Sequence, residues 1–202
     1  MEFSLTYRGP LPASQDNDKR SDIKQRIRLE LSSQIAQLWG WAPLATSLIE
    51  GLGKGHLANG VVQVSFEDAH FKNHFEVETC GFKAIPIITR HNGLVCHLDI
   101  AVLRRERPGN IIHGGDIDNR IKTLFDALRM PLSDSEIPGN MRGNGEHLFC
   151  LLEDDSLITR VSVASDQLLR PLANGEEVHD VELLIRVNVK TLYATDKNRL
   201  LG

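Results

Sequence analysis

The stretch Gly114-Gly115-Asp116-Ile117-Asp118-Asn119-Arg120-Ile121-Lys122-Thr123-Leu124-Phe125-Asp126-Ala127-Leu128 decides how this chain is read. Ile117, Ile121, Leu124 and Leu128 recur at steps of four, three and four, which is the spacing of one helical face. A helix from about Ile117 to Arg129 is expected, with that face packed on a sheet. Asp118, Lys122 and Asp126 follow at steps of four and form a polar row beside the apolar stripe. Asp116 falls at the N-cap position, and Gly114-Gly115 permit the turn that lets two nearby carboxylates converge. A hard cation such as Mg²⁺ takes a few carboxylate oxygens and keeps several waters. Lys122, one turn inward from Asp118, is spaced to meet a phosphate or the charge developing on it.

A second acidic group, Glu153-Asp154-Asp155, stands between the apolar run Leu148–Leu152 and the β-branched alternation of Leu157–Leu168. It reads as a turn entering a strand. If that strand neighbours the helix, one of these carboxylates completes a three-acid site that can orient a water and polarise a phosphodiester. Each feature also has a purely structural reading. Asp116 can serve as an N-cap, Asp118–Lys122 as a surface ion pair, and the acidic triplet as a solvated turn.

The rest of the chain supplies an α+β frame, an antiparallel or mixed sheet with two main helices. Phe3–Tyr7 reads as a strand stopped by Gly9-Pro10 and Pro12, and Ala13–Arg20 as a polar loop. Ile23, Ile27, Leu31, Ile35 and Leu38 mark a helix over Asp22–Trp39, with Asp22 and Gln25 as its capping pair. Lys24, Arg26, Arg28 and Glu30 lie off that stripe. Gly40–Gly60 reads as a long loop and Val61–Phe66 as a strand. Phe82–Arg90 and Leu94–Arg104 flank His91-Asn92-Gly93, which predicts a β-hairpin. Pro86 assigns the first of these strands to an edge or a bulge. Arg105–Gly115 and Met130–His147 are loops by composition, and Val181–Val189 is a strand. The polar tail Tyr193–Gly202 is expected to fray.

Taken together, Asp116-Ile117-Asp118-Asn119-Arg120-Ile121-Lys122, then Asp126-Ala127-Leu128, then Asp154-Asp155-Ser156-Leu157-Ile158 resemble the signature of the RusA-like Holliday-junction resolvases. The opening Ser4-Leu5-Thr6-Tyr7-Arg8-Gly9-Pro10-Leu11 resembles the first strand and Pro-containing turn of that family. The resemblance implies a Mg²⁺-dependent endodeoxyribonuclease, with Mn²⁺ as a substitute, acting as a homodimer on branched, four-way DNA. It implies a catalytic set of Asp116, Asp118, Lys122 and Asp155, in which the three aspartates hold the metal and Lys122 supports the phosphate. Asn119 would brace the turn, Asp126 the helix, and Asp154 would assist. The chain is longer than a compact member of the family. The reading is therefore a single RusA-like domain over residues 1–202 with insertions near 40–78 and 130–147. A rival reading is a catalytically idle RusA-like module for DNA binding or dimerisation. A weaker third is a phosphohydrolase acting on small nucleotides.

Composition sets the outer bounds. The chain has 202 residues, 41% hydrophobic and 25% charged, enough for a core without disulfide or metal staples. No run approaches the roughly 18 apolar residues of a membrane helix. No signal peptide is expected at Met1-Glu2-Phe3-Ser4-Leu5. Three cysteines without a CxxC favour a reducing, cytoplasmic compartment. A net charge of −4 argues against coating nucleic acid by bulk charge, though not against a local basic patch. Arg104, Arg105 and Arg107, on the segment feeding the acidic motif, are the candidate DNA-binding residues. Arg142 is a further candidate. His70 and His74 have a metal spacing without a second ligand pair, and His113 precedes Asp116 by three residues as a candidate proton carrier. Gly51-Leu52-Gly53-Lys54-Gly55 lacks the spacing of a phosphate loop.

Overall fold

The computed structural model describes residues 1–11, 17–40, 44, 56–58, 61–63, 75–105, 116–172, 175, 177, 180–195, 198 and 201. Among these, residues 17–19, 56–58, 61–63 and 116 are described by their backbone alone. In chain order the strands are β1 (Glu2–Pro10), β2 (His56–Ala58), β3 (Val61–Gln63), β4 (Val77–Thr79), β5 (Phe82–Ile88), β6 (Leu94–Arg104), β7 (His147–Leu152), β8 (Ile158–Gln167) and β9 (Asp180–Thr191). The two main helices are α1 (Asn17–Leu38) and α2 (Asp116–Leu128). The fold is α+β with mixed sheets.

A four-stranded sheet runs β1-β9-β6-β8, antiparallel except for the β6/β8 pair. Strict alternation creates its inner face. Leu98, Ile100 and Val102 of β6 and Val181, Leu183, Ile185, Val187 and Val189 of β9 are all buried. Onto this face come Ile27, Leu31 and Ile35 of α1 and Ile121, Leu124 and Leu128 of α2, in one core. A second sheet, β4-β5-β7, adds Ile85, Ile87, Ile88, Leu151 and Leu152 to that core. β2 and β3 form a separate antiparallel pair.

Several local expectations change. The tight turn after β5 is present, with Gly93 N–H donating to the Arg90 carbonyl at 3.0 Å. Yet β5 and β6 are not hairpin partners: β5 joins β4 and β7, while β6 joins β9 and β8. β5 carries apolar side chains on both faces and is buried on both, so it serves as an inner strand rather than one arm of a half-exposed hairpin. Pro86 lies past the last β4 pairing at Ala84, where that side of the strand has no β4 ladder to lose. α1 begins at Asn17, which leaves Asp22 inside the helix and ends the capping reading of Asp22–Gln25. Part of the expected loop at 40–60 is strand β2. Within 130–147, Asp134–Glu136 and Gly139–Met141 are short 3₁₀ turns. The described residues of the tail dock rather than fray. Leu201 is buried, the Met1 amino group donates to its carbonyl, and buried Asn198 donates to the carbonyls of Asn92 at 2.8 Å and Tyr193 at 3.0 Å.

The two outer strands of the large sheet are finished differently. At β1, Gln34 of α1 acts as a one-residue substitute strand. Its side-chain amide donates to the Thr6 carbonyl at 2.7 Å, and its oxygen accepts the Thr6 N–H at 3.0 Å. No such side chain closes β8 among the described residues.

Candidate metal and phosphate site

Helix α2 is held along its length by arginines that join it to distant parts of the chain. Arg120 donates to the Leu11 carbonyl at 2.7 Å, tying the helix to the end of β1. Arg20 donates to Thr123 Oγ1 at 3.0 Å and to the Asn119 carbonyl at 3.4 Å, tying it to α1. Asn119 is half-buried, and its carbonyl also accepts from Thr123 Oγ1 at 2.9 Å.

The C-terminal end is a buried charge network. Arg28 of α1 is 1% exposed and donates to the carbonyls of Asp126 at 2.6 Å and Arg129 at 3.0 Å. A helix leaves its last carbonyls without intrahelical partners, and here a guanidinium supplies them. Gln25 Oε1 accepts from Arg28 at 2.6 Å, and Glu136 lies 3.9 Å away. Burial pulls the Arg28 pKa below its ordinary value. Arg129 meets Glu136 at 3.1 Å and Asp126 at 3.5 Å, and Lys24 meets Asp126 at 3.6 Å. Asp126 therefore sits in ion pairs that join α2 to α1. Of this cluster, the charge pattern singles out Asp126 alone. The one signal for Arg28 is that it precedes Leu31 by three and Ile35 by seven, the spacing of the buried face.

The N-terminal part of α2 is dressed differently. Asp118 and Lys122 are exposed, and neither makes a side-chain hydrogen bond or ion pair with a described residue. Asp116 opens the helix in the backbone, and its side chain lies outside the described residues. Asp118 and Asp126 stand eight residues apart, about 12 Å along the axis.

The acidic triplet forms the turn between β7 and β8, where Asp155–Leu157 is a 3₁₀ turn packed against both α2 and β6. Leu157 anchors it in the core. The chain arrives beside the exit of α2, since Met130 N–H donates to the Leu152 carbonyl at 2.9 Å. Each of the three acids has its own task. Glu153 accepts the Arg90 N–H at 2.8 Å. Asp154 caps the turn, accepting the Ser156 N–H at 3.0 Å and the Ser156 hydroxyl, and lies 3.5 Å from Arg90. The Ser156 hydroxyl and amide hold the Asp154 carboxyl below the usual carboxylate range. Asp155 is exposed and has no side-chain partner among the described residues. Arg90 and Ser156, which brace this turn, were not anticipated; their contacts join segments 63 and 66 residues apart.

Of the candidate DNA-binding arginines, Arg104 ends β6 and is 6% exposed. Arg105 is half-buried and donates to the Arg170 carbonyl at 2.7 Å. Arg142 is on the surface, 3.1 Å from Asp134. Arg107, His70, His74 and His113 lie outside the described residues.

Among the described residues, no three His, Cys, Asp or Glu side chains are grouped to hold a metal ion. Of the carboxylates assigned to a metal, Asp118 and Asp155 are described. Both offer unpaired, exposed oxygens of the hard type that Mg²⁺ accepts, and Mg²⁺ is commonly held by one or two carboxylates with waters and substrate phosphate. The donor chemistry fits such an ion. No helix among the described residues is long and apolar enough to cross a membrane. Compared with protein-family models, curated proteins and solved structures, the chain matches none.

Proposed function

We propose that this protein is a divalent-metal-dependent endodeoxyribonuclease of the RusA-like type, acting as a homodimer on branched DNA. One observation carries the reading. The acidic turn that bears Asp155 packs against α2, the helix that bears Asp118 and Lys122, and all three side chains are exposed without partners among the described residues.

Asp116, Asp118 and Asp155 would hold Mg²⁺ or Mn²⁺. Such an ion, when bound, supplies activation of a water and stabilisation of charge on the phosphate. Lys122 brings its ammonium to a non-bridging oxygen of the scissile phosphate. The N-terminal end of α2 favours an anion there through its helix dipole. Asp154, kept ionised by Ser156 and Arg90, holds the turn in shape and leaves the Asp155 carboxylate outward. Arg20, Arg28 and Arg120 fix the helix from behind. Arg104 is buried and Arg105 donates to the Arg170 carbonyl, which leaves Arg107 as the candidate phosphate contact from that segment. Cys80, Cys96 and Cys150 are all free thiols, which suits a reducing cytoplasm.

The test is incubation of the protein with labelled four-way junction, fork and linear duplex, with and without Mg²⁺ or Mn²⁺, beside Asp118→Asn. Paired, metal-dependent nicks in the junction that vanish in the variant are expected. Junction binding without cleavage under any metal would favour the idle binding module.

A further inference from the structure

β8 is the outermost strand of the four-stranded sheet among the described residues, and its edge differs from every other part of that sheet. Val161 and Val163 are in register with Leu98 and Ile100 of β6, so all four side chains belong to the inner face. Leu98 and Ile100 are 0% and 2% exposed, whereas Val161 and Val163 are 41% and 38% exposed. Among the described residues, the helical layer thus covers the face as far as β6 and stops. Among the described residues, the backbone edge is open as well. Leu168 N–H donates to the Arg104 carbonyl at 2.7 Å, so the even-numbered residues nearby turn their peptide groups toward β6. By alternation Val161, Val163 and Ser165 turn theirs outward. Strand β8 contains no proline, lysine or glycine, the residues that usually blunt such an edge.

We propose that β8 pairs antiparallel with β8 of a second copy of this chain, about a two-fold axis through Val163. Self-complementarity selects a second copy over an unrelated strand. Centred on Val163, the register sets Val161 opposite the partner's Ser165 and Ser162 opposite the partner's Ala164. It also sets Arg160 opposite the partner's Asp166, and symmetry repeats that ion pair. Both charged side chains are exposed. Among the described residues, Arg160 makes no ion pair and Asp166 accepts only its neighbour's Gln167 N–H at 2.7 Å. The outward peptide groups of Val163 meet their own symmetry mates as a hydrogen-bonded pair, and Arg160 and Asp166 fall on non-hydrogen-bonded positions, where side chains approach most closely. The two copies then share one eight-stranded sheet, with an isologous interface of the kind a two-fold dimer requires. Moving the axis by one residue would set Arg160 opposite an uncharged side chain, so the charges fix the register. The inference rests on the homodimer of the proposed function and assigns its interface, and it is argued from strand geometry without use of the metal site.

Analytical ultracentrifugation tests it. The wild-type chain is expected to be a dimer across the micromolar range. Arg160→Asp and Asp166→Arg should each weaken dimerisation by about tenfold or more, because each sets like charges opposite one another twice. Their melting temperatures, read in parallel, should stay near wild type because both side chains are exposed. An equimolar mixture should re-form dimers, since one variant then offers two carboxylates to the two guanidiniums of the other. A monomeric wild type, variants that dimerise as wild type does, or a mixture that stays monomeric would each overturn the proposal. None of these readouts depends on cleavage.

Discussion

The two ends of α2 carry the same kinds of side chain and treat them in opposite ways. At the C-terminal end, Asp126, Arg129, Glu136 and Arg28 are buried or half-buried and satisfy one another. Toward the N-terminal end, Asp118 and Lys122 are exposed and meet no described partner. Buried charge is costly unless it is paired, so the first group must be a network to exist at all. Exposed charge has no such requirement, and leaving it unpaired keeps its oxygens and ammonium available to a ligand. The difference separates what holds the helix from what the helix offers.

That contrast can be broken most sharply at Arg28. Arg28→Met keeps the volume roughly but strips the Asp126 and Arg129 carbonyls and Gln25 of their donor. The loss of stability should be about 3–5 kcal/mol in chemical denaturation. A loss below about 1 kcal/mol would mean that water replaces the guanidinium and that the network is ornamental. Asp126→Asn removes two half-buried ion pairs and should cost about 1 kcal/mol, with the helix intact by circular dichroism.

The acidic turn gives a pH-dependent version of the same contrast. The Asp154 carboxyl is lower when folded than when unfolded, chiefly through Ser156. Its contribution to stability is therefore complete above the ordinary carboxylate range and is lost as pH falls through the depressed folded value. NMR titration of Ser156→Ala should show the Asp154 carboxyl moving up toward its ordinary range. An unmoved titration would show that Arg90, not Ser156, sets it. The smallest stability effects belong to the exposed end of α2. Asp118→Asn and Lys122→Ala should each change stability by no more than about 0.5 kcal/mol, because neither touches a buried partner.

Periodicity made β6, β9 and α2 legible, since each buries one face against the core and writes its period into the sequence. It failed where structure depends on partners distant in sequence. β5 and β6 share a good turn, but which sheet each strand joins is decided by β7 and β9, far along the chain. Arg28 reads as one more polar residue of α1 because the carbonyls it serves are 98 and 101 residues away. The candidate site is the reverse case. Asp118 and Lys122 stand out because their spacing is local, Asp155 is picked out only through the resemblance, and the contacts that occupy Asp154, with Ser156 and Arg90, are not written in the sequence. The edge strand β8 was visible as an alternating run, while its missing cover could be seen only once the helices had been laid on the sheet.

The most direct measurement is a Mn²⁺ titration, read by electron paramagnetic resonance, on the wild-type protein and on Asp118→Asn, Asp155→Asn and Asp126→Asn. The account predicts binding in the millimolar range or tighter for the wild type and for Asp126→Asn, and a marked loss in the other two. Equal binding by all four proteins, or loss in Asp126→Asn alone, would contradict the assignment of metal chemistry to the exposed carboxylates of α2 and the acidic turn.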